Sequence, residues 1–135
     1  MTLNYLLKNP YIRILLASLW TLFLTIYLLQ PENQPVIPQP IPTAPPSFQR
    51  EVLFTSLHLI TFGFTAWLWC FALAKTALNE SLWLVAIVLL GYGLSIEFIQ
   101  SNIPGRNTQV WDMVANGVGI LTGIGVWIRY FRHGI

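Results

Sequence analysis

A carboxylate and an amide three residues apart, Glu97 and Gln100, close one strongly apolar run, and a second carboxylate and amide, Asp112 and Asn116, four apart, open the next. Between them lies Pro104-Gly105-Arg106. Residues three or four apart share one face of a helix, so each pair forms one polar stripe. Ionisable groups inside apolar spans are expensive and usually face a protein interior or a wet cavity, which makes them a functional-site hypothesis by default. A partly desolvated carboxylate such as Glu97 can act as a general acid or base, and is the candidate catalytic residue. Arg106 can receive a phosphate or carboxylate through paired, charge-assisted hydrogen bonds. Binding roles are expected for Arg106, Asp112, Asn116, Gln100 and His58. The last lies about two turns inside its own apolar run, at a depth that lets it join the others. Arg106 is expected to bridge Glu97 and Asp112. A plainer reading stands beside this one: the same groups could form a polar clasp that staples three helices with every member satisfied internally.

The elements that must carry these residues are membrane spans. The chain has 135 residues, of which 55% are hydrophobic and 9% charged, with mean hydropathy +0.61. Soluble domains carry about 25% charged residues. Four apolar segments appear: Ile14 to Leu29, extendable to Tyr11 if Arg13 snorkels to the headgroups; Val52 to Ala74; Leu82 to Ile99; and Val110 to Ile128. Each fits the roughly 17–25 residues a spanning helix needs. Open strands cannot span lipid, and no alternating barrel pattern is present, so the fold class is all-α, an integral membrane four-helix bundle. The first segment lacks a small-x-small cleavage site at Leu28-Leu29-Gln30-Pro31 and reads as a retained helix rather than a signal peptide.

Three regions follow: an N-terminal transmembrane helix over 1–29, a proline-rich external linker over 30–50, and a three-helix region over 51–135. Seven of the nine prolines fall in the linker, which forbids helix and favours a semi-rigid extended chain. With four spans, one side holds Lys8, Arg13, Lys75, Arg129 and Arg132, and the other only Arg50 and Arg106. The positive-inside rule then puts both termini in the cytoplasm of a multi-pass cell-membrane protein, with the linker and the Arg106 turn outside.

Gly119 and Gly123 continue the Asp112–Asn116 stripe, and Gly93 lies one turn below Glu97. Small residues at such spacing allow close helix approach, so all three are expected to serve helix packing, with the fourth helix facing the third. Trp83, Trp111 and Trp127 read as interface anchors, and Trp20, Trp67 and Trp69 as packing residues. The single cysteine, Cys70, reads as a small apolar core residue. One histidine with two carboxylates is a thin basis for a metal site, and Gly91-Tyr92-Gly93 sits in an apolar helix rather than a phosphate loop, so no metal and no cofactor is expected. The small net charge of +2 gives no nucleic-acid signal.

The order E-x-x-Q, P-G-R, D-x-x-x-N-x-x-G resembles the VanZ-like family of small bacterial membrane proteins, whose founding member is linked to teicoplanin resistance. Eight positions carry the resemblance: Glu97, Gln100, Pro104, Arg106, Asp112, Asn116, Gly119 and Gly123. It extends over roughly residues 52–128. Many relatives carry an aspartate-lysine pair four and three residues before the histidine. Here those places hold Phe54 and Thr55. The resemblance implies a compact four-helix membrane bundle of the cell envelope. It points to an outward-facing site for membrane lipid, an anionic envelope lipid or a cell-wall intermediate. The alternative is a non-enzymatic accessory subunit that docks a larger membrane complex.

Overall fold

The computed structural model describes residues 8–31, 36, 48–74, 82–103 and 110–130. These contain four long α-helices: α1 (Pro10–Leu29), α2 (Phe48–Leu73), α3 (Leu82–Gln100) and α4 (Val110–Tyr130). Among the described residues there is no strand. All four helices are long and apolar enough to cross a membrane. At 1.5 Å per residue the shortest, α3 with 19 residues, reaches about 28 Å, close to a hydrocarbon core of about 30 Å.

The boundaries follow local chemistry. At the start of α1, the Asn9 side chain accepts from the Tyr11 backbone N–H at 2.9 Å, and Pro10 supplies a fixed φ where no donor is needed. The second helix begins at Phe48, four residues earlier than its apolar run suggests. The polar start Phe48-Gln49-Arg50-Glu51 hides the helix from a hydropathy reading, although the last helix-forbidding proline is Pro46. The Arg50 guanidinium lies 5.2 Å from the Phe54 ring centroid.

The most extensive helix–helix contact is between α2 and α4, not between α4 and α3 as the glycine stripe was expected to give. A Cβ at Gly119 would collide with the Leu59 carbonyl and lie 3.1 Å from the Gly63 nitrogen. One at Gly123 would collide with the Gly63 carbonyl and sit 3.1 Å from the Trp67 nitrogen. The reason is a third glycine: Gly63 gives α2 the flat surface onto which the α4 glycines close, whereas α3 offers the side chains of Leu89 and Ile96 to the core.

The first helix is tied to the rest by one repeated device. Threonine hydroxyls donate to the carbonyl four residues back and accept from an aromatic donor on a neighbouring helix. Thr65 bonds the Thr61 carbonyl and accepts from Trp20 Nε1 at 2.9 Å. Thr21 bonds the Ala17 carbonyl and accepts from Trp69 Nε1 at 3.0 Å. Thr25 bonds the Thr21 carbonyl, so the Tyr92 hydroxyl, 2.9 Å away, is the donor there.

Two expectations are corrected by packing. Arg13 does not reach outward; it is 1% exposed and its Nη1 and Nη2 donate to the carbonyls of Phe71 and Ala74 at 3.0 and 2.7 Å. The last carbonyls of a helix lack intrahelical partners, and the end of α2 offers them to the guanidinium, which also lies over the Phe71 ring. Trp127 is a core residue, 1% exposed and edge-on to Phe71, rather than an interface anchor. Trp83 and Trp111 are exposed. Trp20 and Trp67 pack on Phe64 and Phe71, and Cys70 is buried.

Candidate functional site

The polar residues singled out by spacing meet at one end of the bundle, at the end of α1 and α3 and the start of α2 and α4. Asn116 is the hub. Its Nδ2 donates to Glu97 Oε1 at 3.3 Å, joining α4 to α3. Its Oδ1 lies 2.9 Å from His58 Nδ1, joining α4 to α2. His58 Nδ1 is itself 3.5 Å from Glu97 Oε1. Gln100, one turn beyond Glu97, donates through Nε2 to the Leu28 carbonyl at 2.8 Å and so brings in α1.

Two aromatic and backbone features hold this arrangement. The His58 ring stacks on Phe62 with centroids 6.2 Å apart and planes 9° from parallel. Gly93 makes room for both Phe62 and Asn116: a Cβ there would lie 3.2 Å from Phe62 Cε1 and 3.5 Å from Asn116 Nδ2.

Asp112 stands four residues from Asn116 and bonds differently. Its Oδ1 accepts from Thr55 Oγ1 at 2.7 Å. Thr55 thus occupies the place where the family resemblance leads one to expect a lysine, and supplies a neutral donor instead of a charge. Unlike Thr21, Thr25 and Thr65, it spends its proton on a carboxylate. Sequence reading noticed Thr55 as a departure but not as a partner; the signal is its position three residues before His58, on the face that meets α4.

All five helical site residues are buried; Glu97 is 1% exposed and Asp112, the most open, 8%. Arg106, with Pro104 and Gly105, lies outside the described residues, and so does its expected bridge between Glu97 and Asp112. Among the described residues no group of three or more His, Cys, Asp or Glu side chains is arranged to hold a metal.

A carboxylate, an imidazole and an amide in mutual contact, on three spans whose order reproduces the E-x-x-Q and D-x-x-x-N-x-x-G spacing, can be set beside known families. The VanZ/LLP1 family model matches residues 5–132, nearly the whole chain. The chain belongs to the VanZ/LLP1 family. This match reaches beyond the 52–128 region in which the resemblance was read, and it takes in α1. No curated protein and no solved structure matches the chain. Membership and four spanning helices make it a multi-pass VanZ-like membrane protein.

Proposed function

We propose that this VanZ-like protein uses the Glu97–Asn116–His58 cluster as a polar site near the outer membrane face, for an anionic lipid or cell-wall intermediate. The observation that carries the reading is a surplus of polar groups where packing is already provided for. The α2–α4 seam closes through Gly63, Gly119 and Gly123, and α1 is held by Arg13 and the threonine–aromatic pairs. Interhelical hydrogen bonds in membranes contribute about 1 kcal/mol or less each, so collecting Glu97, His58 and Asp112 at one end is a poor way to gain stability alone. In this reading Arg106 receives the anionic headgroup, Asp112 and Gln100 border the site, and Glu97 and His58 are its acid–base pair.

The accessory-subunit reading has its own support. Glu97, Gln100, His58 and Asn116 are all buried with partners, as a clasp requires. Glu97→Gln separates the two. The amide is nearly isosteric and still accepts from Asn116. As a site residue, Glu97→Gln leaves insertion and thermal unfolding close to wild type and abolishes the cellular phenotype, together with retention of phosphatidylglycerol in native mass spectrometry. A Glu97→Gln protein that inserts normally and fully replaces the wild type in the cell would sink the site reading.

A further inference from the structure

The hydrogen-bond directions around Asn116 carry a consequence for His58. The Asn116 NH2 group faces Glu97 and donates to its Oε1 at 3.3 Å. The carbonyl oxygen of the same amide then faces His58 Nδ1 at 2.9 Å, and a carbonyl also only accepts. A second polar atom near Nδ1 among the described residues is Glu97 Oε1 at 3.5 Å, a further acceptor. Both neighbours of Nδ1 therefore call for a proton on it. Which ring nitrogen of a neutral histidine carries the proton is set by the hydrogen bond the other atom makes.

We infer that Asn116 fixes His58 in the Nδ1–H form, making Nε2 the basic atom of the imidazole, with Asn116 as the positioning residue. Stacking on Phe62 keeps the ring plane fixed, and Gly93 leaves the amide room to lie between the two helices. The inference rests on the site reading above for its chemical meaning. There, Nε2 takes the proton of a substrate hydroxyl or a water. The O–H bond breaks, an N–H bond forms, and the resulting imidazolium sits beside the Glu97 carboxylate while the oxygen keeps the electron pair. No electrons are exchanged. The Asn116 amide thus links a carboxylate on α3 to an imidazole on α2.

The chain has two histidines, His58 and His133, so His133→Gln leaves one imidazole to observe. Side-chain 15N shifts of histidine-labelled protein in phosphatidylethanolamine–phosphatidylglycerol nanodiscs at pH 9 read the tautomer directly. The expected spectrum has a protonated Nδ1 and an unprotonated Nε2. In Asn116→Leu the Nε2–H form should rise above its wild-type share, because the 2.9 Å acceptor is gone and the longer 3.5 Å contact to Glu97 Oε1 remains. An Nε2–H spectrum in the parent overturns the inference even where Asn116→Leu fails to insert. An unchanged spectrum in a folded Asn116→Leu protein overturns it as well. The measurement uses no substrate, so failure of the site reading in the Glu97→Gln experiment leaves the tautomer result standing, and the two failures are distinguishable.

Discussion

Arg13 and Glu97 are both charged groups buried in a protein of the membrane, and the structure treats them in opposite ways. The two terminal nitrogens of Arg13 bond backbone carbonyls at the end of α2, and Arg13 touches no carboxylate among the described residues. Glu97 is matched by side chains with chemistry of their own. Hence Arg13 is a structural cap and Glu97 a candidate for function. The sequence made Glu97 visible because a carboxylate in an apolar run stands out, and three-residue spacing put Gln100 on its face. For Arg13 the sequence offered snorkelling only as a condition, because a long cationic side chain near a span end ordinarily reaches the headgroups. Nothing in its neighbourhood signals that the carbonyls awaiting it belong to residues 58 and 61 positions away. The planar guanidinium bonds two carbonyls at once, a geometry that one ammonium reproduces poorly. Arg13→Ala should lower the stability measured by thermal unfolding in detergent by about 1.5–3 kcal/mol, the range for hydrogen bonds to a charged group. Arg13→Lys should recover less than half of that. A lysine variant as stable as wild type would show that charge alone matters there, not the fork.

The glycine pattern on α4 announced close helix approach, but it could not name the partner, because a stripe on one helix is silent about which neighbour carries the complementary surface. Gly63 on α2 decides the matter, and an isolated glycine in an apolar run gives no periodic signal. The threonines were illegible for a related reason. Thr21, Thr25 and Thr65 become useful only when an aromatic donor from another helix arrives at the right height. These seams make a test at the element scale with opposite signs. Gly123→Ala forces a methyl into the Gly63 carbonyl, and the α2–α4 seam must open. Overpacking of this kind costs typically 1–3 kcal/mol. Gly125→Ala, two residues on, meets nothing within 4 Å and should gain roughly 0.5–1 kcal/mol from reduced backbone freedom. Unfolding in detergent should therefore rank the Gly125 variant above wild type and the Gly123 variant below it. Equal losses at both positions would mean that the glycines matter for something other than backbone contact. The Gly123 variant also shifts α4 against α2, so it should disturb His58 although it lies about two turns from Asn116.

As a whole, the molecule turns its apolar side chains outward as well as inward. Leu15, Leu19, Leu22, Leu94, Val118 and Leu121 are all exposed, which suits hydrocarbon around a bundle. The number and class of spans were legible from composition and segment length, since nothing else accommodates four such runs. Orientation is a separate matter and rests on charge. The burial of Arg13 removes one cation from the side that holds both termini, because a guanidinium spent on carbonyls no longer marks an interface. That leaves Lys8, Lys75, Arg129 and Arg132 against Arg50 and Arg106, four against two. The bias survives, and four spans return the chain to the side on which it began, so both termini are expected in the cytoplasm. The test starts from a Cys70→Ala chain, which removes the buried thiol. Single cysteines then replace Gln39, between α1 and α2, or Asn79, between α2 and α3. A membrane-impermeant maleimide applied to intact cells should label the position-39 variant, and the position-79 variant only after the membrane is opened. Labelling of position 79 from outside would invert the bundle. It would place the Glu97–His58 end at the cytoplasmic face, and the proposed ligand would then have to come from the inner leaflet rather than from the envelope.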